Sequence, residues 1–168
     1  MSAWFASAIE PAVEATGSRE FLSGNEAVAR GAFDAGVEVA AAYPGTPSTE
    51  IVETLATFYD VYAEWSTNEK VALEVAFGAS MTGRRAITAM KHVGLNVASD
   101  TLMTLGQVGA KAGLVIAVSD DVGYSSSQNE QDSRFWGRFV HLPVLEPADA
   151  DEAYAMTHEA FALSERFE

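Results

Sequence analysis

The sequence contains no cysteine. That excludes a disulfide framework, a thiolate nucleophile, a cysteine-zinc site and an iron–sulfur cluster held by this chain's own thiolates. Basic residues are also scarce: 10 lysines and arginines stand against 24 aspartates and glutamates in 168 residues, a net charge of −14. Such a chain lacks the basic patch that nucleic-acid phosphates need, and anionic lipid repels it. Histidine occurs only at His92, His141 and His158, with no two at the spacing of a metal site. No apolar run reaches the roughly 18 residues of a membrane span. Met1–Ser7 lacks the basic and apolar regions of a signal peptide. The missing thiols and targeting segment fit a cytoplasmic, reducing compartment. Neither Gly-x-Gly-x-x-Gly, nor a phosphate loop ending in lysine and serine, nor a Gly-x-Ser-x-Gly elbow is present.

What is present describes a folded α/β domain. The apolar fraction is 48% and the aromatic fraction 10%, enough for a substantial core, since a chain of roughly 150 residues hides about two thirds of its unfolded surface. Residues 1–21 read as an N-terminal arm, whose Trp4, Phe5 and Ile9 could pack as a short amphipathic turn, and residues 22–168 as one domain.

Spacing predicts a helix over residues 25–35 with Gly36 as its stop, then a strand at 37–43 whose continuous apolar run suits burial on both faces. Thr46 can cap, and Pro47 can open, a helix running to about Tyr59. A strand at 61–65 leads to Ser66 and Glu69, spaced as a capping box, and to a helix ending near Met81. Small residues on that helix, Ala72, Ala76, Gly78 and Ala79, imply close approach by another backbone. Further strands are expected at 86–90, 112–118 and 140–145, and helices at 97–109 and 150–164, with Asp149 and Glu152 at capping-box spacing. The alternation implies a mostly parallel sheet with helices on both faces. The ending, directly after a helix, is that of a fold in which another strand should follow.

In such sheets ligands sit beyond the carboxyl ends of the strands. The loops leaving those ends, 44–48, 66–69, 91–96 and 119–134, carry polar residues that a core would not require. Glu69 reads either as a capping glutamate or as a carboxyl group presented to a heterocycle. The Pro44–Ser48 loop can hold a ligand through the Thr46 hydroxyl and backbone N–H groups, or be an ordinary strand-to-helix turn. Lys91 and His92 follow a strand as a pair. Asp120 and Asp121 are an acidic pair, weak grounds for a cation site. By residue logic alone, this is an α/β domain with an anionic crevice and no complete catalytic set.

Leu22-Ser23-Gly24-Asn25-Glu26-Ala27, Tyr43-Pro44-Gly45-Thr46-Pro47-Ser48-Thr49-Glu50, Asn68-Glu69-Lys70-Val71-Ala72, Met90-Lys91-His92-Val93-Gly94-Leu95-Asn96 and the run from Ser126 to Arg134 carry a specific pattern. Over roughly residues 20–168 the chain resembles the α subunits of indolepyruvate:ferredoxin oxidoreductases, within the wider thiamine-diphosphate-dependent 2-oxoacid:ferredoxin oxidoreductases. The resemblance implies the pyrimidine-binding fold of those enzymes, with magnesium and iron–sulfur clusters on partner domains. Glu69 matches the glutamate that contacts the pyrimidine and promotes loss of the thiazolium proton. Pro44 and Thr46 lie in the loop near cofactor and keto acid, and Lys91 and His92 match a loop beside the thiazolium ring. The implied activity is oxidative decarboxylation of an arylpyruvate to acyl-coenzyme A. The implied partners are a diphosphate-binding domain or subunit, ferredoxin, a 2-oxoacid and coenzyme A, in a homo- or hetero-oligomer. Two departures qualify it. The arginine that pyruvate-using relatives place just past the fourth strand is replaced near Ser119 and Asp120, leaving Arg134 as a weak substitute. The diphosphate-binding half is missing, so the chain is expected to be inactive alone. The alternatives are a non-catalytic assembly domain and a thiamine-dependent decarboxylase component.

Overall fold

The fold was analysed in a computed structural model that describes residues 20–167. The expected arm over residues 1–21 falls almost wholly outside the described residues. The first helix, α1 (Gly24–Asp34), begins at Ser23, whose hydroxyl accepts from the Glu26 N–H while the Glu26 carboxylate accepts from the Ser23 N–H. Strand β1 (Val39–Ala42), helix α2 (Thr49–Leu55), strand β2 (Tyr62–Trp65), helix α3 (Glu69–Met81) and strand β3 (Ala86–Lys91) follow. Helices α4 (His92–Val97) and α5 (Ser99–Val108) lead to strand β4 (Leu114–Ser119) and helices α6 (Arg134–Val140) and α7 (Ala150–Phe167).

The strands form one parallel sheet in the order β2-β1-β3-β4. Helices cover both faces, as a parallel sheet requires. On one face Ala29 and Ala32 of α1, Ile51 and Leu55 of α2 and Phe161 of α7 pack on Ala40, Ala42, Ile87 and Ala89. On the other, Leu73 and Ala76 of α3, Leu102 and Leu105 of α5 and Val140 of α6 pack on Ala86, Met90 and Leu114. Alanines dominate the middle of the sheet, so the helix backbones come close and the strand ends are held in a narrow range of positions.

Several sequence expectations are corrected. Thr46 does not cap a helix and Pro47 does not open one: the Thr46–Pro47 peptide is cis, and α2 starts at Thr49 behind Ser48. Ser66 and Glu69 form no capping box, because Asn68 is the cap and its side chain accepts from the Val71 N–H. Ser66 instead donates to the Glu64 carboxylate. Gly78 serves no close approach, having nothing within 4 Å of where a Cβ would stand. The 91–96 loop is helical, its residues entering α4 directly after β3. Residues 140–145 form no strand: α6 ends at Val140, His141 turns with φ 63°, and residues 142–147 carry no regular structure. They run beside the free edge of β4 and enclose with it a cavity of about 680 Å³, closed on its far side by α7.

Candidate functional site

The carboxyl ends of the strands bring the sequence-selected residues to one rim of the sheet. Asn68 stops the chain after β2 and caps α3, which makes Glu69 the first helical residue. Glu69 is 9% exposed. Its side chain turns toward α4, where Gly94 makes room for it. A Cβ on Gly94 would stand 2.5 Å from Glu69 Cγ and 2.6 Å from Oε1. No larger residue fits there without moving the carboxylate. Among the described residues no hydrogen-bond donor or cation reaches the Glu69 oxygens. They are nevertheless not sealed in. Thr88 Oγ1 is the one fully enclosed side-chain polar atom without a partner among those residues, so the carboxylate keeps an opening. A capping role is thereby removed, and a buried acid without a partner remains.

The loop after β1 is braced from within. Ser48 is buried and its hydroxyl donates to the Gly45 carbonyl at 2.8 Å, while the Gly45 N–H donates to Thr49 Oγ1 at 3.1 Å. Pro44 and Thr46 remain exposed on its crest. Gly45 lies against the Lys91 stem, with Lys91 Cγ 3.5 Å from where a glycine Cβ would be. The Lys91 ammonium, at the end of β3, donates to the Ser126 carbonyl and to Ser127 Oγ, each at 3.0 Å. Lys91 thus spans from the loop after β1 to the loop after β4.

His92 does something different from its neighbour. It is 0% exposed. Nδ1 accepts from the Asp121 N–H at 3.4 Å, which puts the proton on Nε2. Nε2 then donates to Asn129, whose backbone oxygen is 2.9 Å away and side-chain oxygen 3.1 Å. Both ring nitrogens are used inside the protein, so His92 organises the loop from β4 to α6 and presents no free nitrogen to a ligand. The acidic pair is consumed by the same loop. Asp120 accepts from the Ser133 N–H and hydroxyl, and Asp121 from the Ser126 N–H and the Ser125 hydroxyl. The Ser126 N–H above all holds the Asp121 carboxyl below the ordinary aspartate value. No group of three metal-ligating side chains occurs among the described residues.

Arg134 is exposed and bound twice, to Asp132 at 2.8 Å and to Glu146 at 3.2 Å. Its hydrogen bonds to these carboxylates raise its pKa still further. Its charge is already matched.

Residues 30–168 match the model of the family described as pyruvate flavodoxin/ferredoxin oxidoreductase, thiamine diphosphate-binding. The chain belongs to this family. It is 52% identical over 161 residues to an indolepyruvate oxidoreductase subunit IorA of Archaeoglobus fulgidus, covering 92% of this chain and 26% of that protein. A subunit of the same name from Thermococcus kodakarensis is 53% identical over 154 residues, 90% of this chain and 24% of the relative. The chain therefore spans about a quarter of the length of these relatives. Among solved structures, the 2-oxoglutarate:ferredoxin oxidoreductase from Magnetococcus marinus, with 2-oxoglutarate, coenzyme A and succinyl-CoA bound, superposes with a TM-score of 0.73 at 25% identity. That match covers 85% of this chain and 27% of the other.

The residues present fit the cofactor of this thiamine-diphosphate-binding family. A heterocycle rich in nitrogen needs a hydrogen-bonding partner that the fold has not already engaged, and the Glu69 carboxylate is such a group. Residue patterns alone give Gly94 and Asn129 no part in the site and read Asp121 only as half of an acidic pair, not as a brace of the loop. Gly94 reads in the sequence only as part of the 91–96 loop, although its nearness to a strand end is a usable signal. Asp121 and Asn129 act across more than 25 residues of sequence, which no local pattern reports.

Proposed function

We propose that this chain is the pyrimidine-binding half of a thiamine diphosphate site in an enzyme that oxidatively decarboxylates 2-oxoacids of the arylpyruvate class. The overall reaction converts a 2-oxoacid, coenzyme A and two oxidised ferredoxins into acyl-coenzyme A, carbon dioxide, two reduced ferredoxins and one proton. The bound cofactor supplies the carbon nucleophile and the electron sink for that chemistry. The single observation that carries the reading is Glu69, a buried carboxylate beyond a strand end that no protein donor engages.

Glu69 would hold a proton between its carboxylate and a ring nitrogen of the bound pyrimidine. A positioned acid–base group of this kind contributes about 10²–10⁴-fold to rate. Gly94 keeps that carboxylate at one depth, because any side chain there collides with it. Pro44 and Thr46 form an exposed crest on the same rim, where they would face the cofactor and the Thr46 hydroxyl would donate to the keto acid. His92 and Asp121 fix the loop that closes the rim on the β4 side. The diphosphate and its magnesium, and the iron–sulfur clusters, belong to partner domains, since this chain has neither a cysteine nor a metal-ligating cluster among its described residues. The 2-oxoacid dehydrogenation is cytoplasmic in this reading and takes place in an oligomer, where a second domain closes the other half of the crevice.

The test is reconstitution. The chain, combined with the diphosphate-binding partner, magnesium and thiamine diphosphate, is expected to reduce ferredoxin on addition of an arylpyruvate and coenzyme A. Without the partner it is expected to be inactive. Calorimetry that finds no thiamine diphosphate binding in the complex would favour an assembly domain that merely keeps the fold. Carbon dioxide release without ferredoxin reduction would favour a decarboxylase.

A further inference from the structure

Lys91 is one of four described cations, with Lys111, Arg138 and Arg166, that no carboxylate pairs, and the only one of the four at the carboxyl end of a strand. Among the described residues, Arg30, Lys70, Arg84, Arg85 and Arg134 each pair with a carboxylate. Lys91 pairs with none: its ammonium rests on the Ser126 carbonyl and the Ser127 hydroxyl, both neutral oxygens. An ammonium has three donors, so one remains open, and the Asp121 carboxylate is held by the same serines without pairing with the ammonium directly. The two serine oxygens and the packing of the stem on Gly45 hold it in place, so little further ordering is needed when an anion arrives.

Its placement is on the rim where the strands end. β3 lies between β1 and β4 in the sheet, and Lys91 bridges the loops that leave those two strands on the rim where Glu69 sits. The adjoining Thr46 crest is exposed. An anionic substrate approaching a chain of net charge −14 is repelled, so a local cation must offset that field at the rim. Arg134 does not serve, since Asp132 and Glu146 already occupy it.

We infer that Lys91 is the carboxylate clamp for the 2-oxoacid: its ammonium pairs with the substrate's carboxylate and so sets the preference for acids over neutral carbonyl compounds. This rests on the catalytic reading above and adds to it a residue that discriminates substrates by charge. A charge-assisted hydrogen bond of this type corresponds to about a 10- to 100-fold effect on affinity.

The experiment uses the reconstituted complex with thiamine diphosphate and magnesium, as wild type, Lys91→Gln and Lys91→Arg. Calorimetry measures 3-phenyllactate and 3-phenyllactamide, unreactive analogues differing in the carboxylate. Wild type is expected to bind the acid about 10- to 100-fold more tightly than the amide. Lys91→Gln, which keeps an N–H donor but loses the charge, is expected to abolish that difference, and Lys91→Arg to restore most of it. The KM for an arylpyruvate should rise with Lys91→Gln by a similar factor, with thiamine diphosphate affinity unchanged. An acid–amide difference that survives in Lys91→Gln overturns the inference. So does a loss of thiamine diphosphate binding with no change in acid affinity, which would make Lys91 a cofactor contact or a strap between loops. A wild-type complex that binds no thiamine diphosphate defeats the underlying catalytic reading, and the clamp falls with it; that failure is distinguished by appearing before any substitution is made.

Discussion

Glu69 owes its position to three neighbours acting at once. Asn68 ends the loop, α3 starts on Glu69 itself, and Gly94 of α4 yields the volume its side chain fills. Glu69→Gln keeps the shape and removes the acid, so the reconstituted activity is expected to fall by about 10²–10⁴-fold, with circular dichroism unchanged. Full activity in that variant would remove the proposed role. Gly94→Ala tests the same carboxylate from the other side. A methyl group there forces the carboxyl aside; the atoms it meets belong to a flexible side chain and alanine favours the helix, so the stability change is expected to stay below about 1 kcal/mol. A misplacement near 1 Å lowers rate by roughly 10²-fold. Both are read in one preparation, by denaturant unfolding and by turnover. If Gly94→Ala matches wild type in turnover, the carboxylate has more room than its contacts indicate.

The loop between β4 and α6 shows what an element can do that one residue cannot. It has little regular structure, yet His92, Asp120 and Asp121 tie its backbone at several points. His92→Leu would leave the Asp121 N–H and the Asn129 oxygens without their partner. The expected loss is about 1–3 kcal/mol, visible as a lower urea midpoint. The Asp121 carboxyl, held below its ordinary value of 3.8 chiefly by the Ser126 N–H, makes the loop acid-sensitive. A lowered folded pKa means that the stabilisation is fully present above the unfolded value and is lost as pH falls through the folded one. Amide exchange at Ser126, corrected for intrinsic rate, is therefore expected to stay slow above pH 3.8 and to accelerate below it. Protection that does not change in acid would show that Asp121 is not what holds the loop. Much of this element was visible in sequence as composition: the polar stretch from Ser119 to Arg134 was assigned to a loop at a strand end. Its internal ties were not visible, because they connect β3, α4 and the loop across long separations.

At the scale of the molecule, the sheet is a platform whose carboxyl rim carries the candidate site and whose amino rim is fastened. Near the amino end, Glu165 of α7 pairs with Arg85 at 2.7 Å and accepts from the Gly113 N–H, while Ser164 accepts from the Leu114 N–H. Phe161, fully buried, joins α7 to α1 and the sheet. Phe161→Ala is expected to cost about 3–5 kcal/mol, measured by thermal or denaturant unfolding, and to loosen the whole helical layer rather than one loop. A loss below 1 kcal/mol would mean that α7 is marginal to the fold. The open edge of β4 and the cavity beside it are features of the same scale: the segment expected to extend the sheet runs alongside it without pairing.

The parallel α/β class, the helices α1, α3 and α7, the strands β1 to β4 and the rim loops after β1 and β4 were legible in the chain itself. Apolar runs, glycine stops and polar strand ends are local signals that depend on neighbours within a few residues. The family was legible too, because its motifs are ordered runs rather than isolated residues. The tertiary structure alone decided that Glu69 is an unpartnered acid and not a helix cap, that His92 faces inward while Lys91 bridges two loops, and that Arg134 is already neutralised. Each of those outcomes depends on which distant atom fills the space next to a side chain. Nothing short of the packed sheet and its helices determines that.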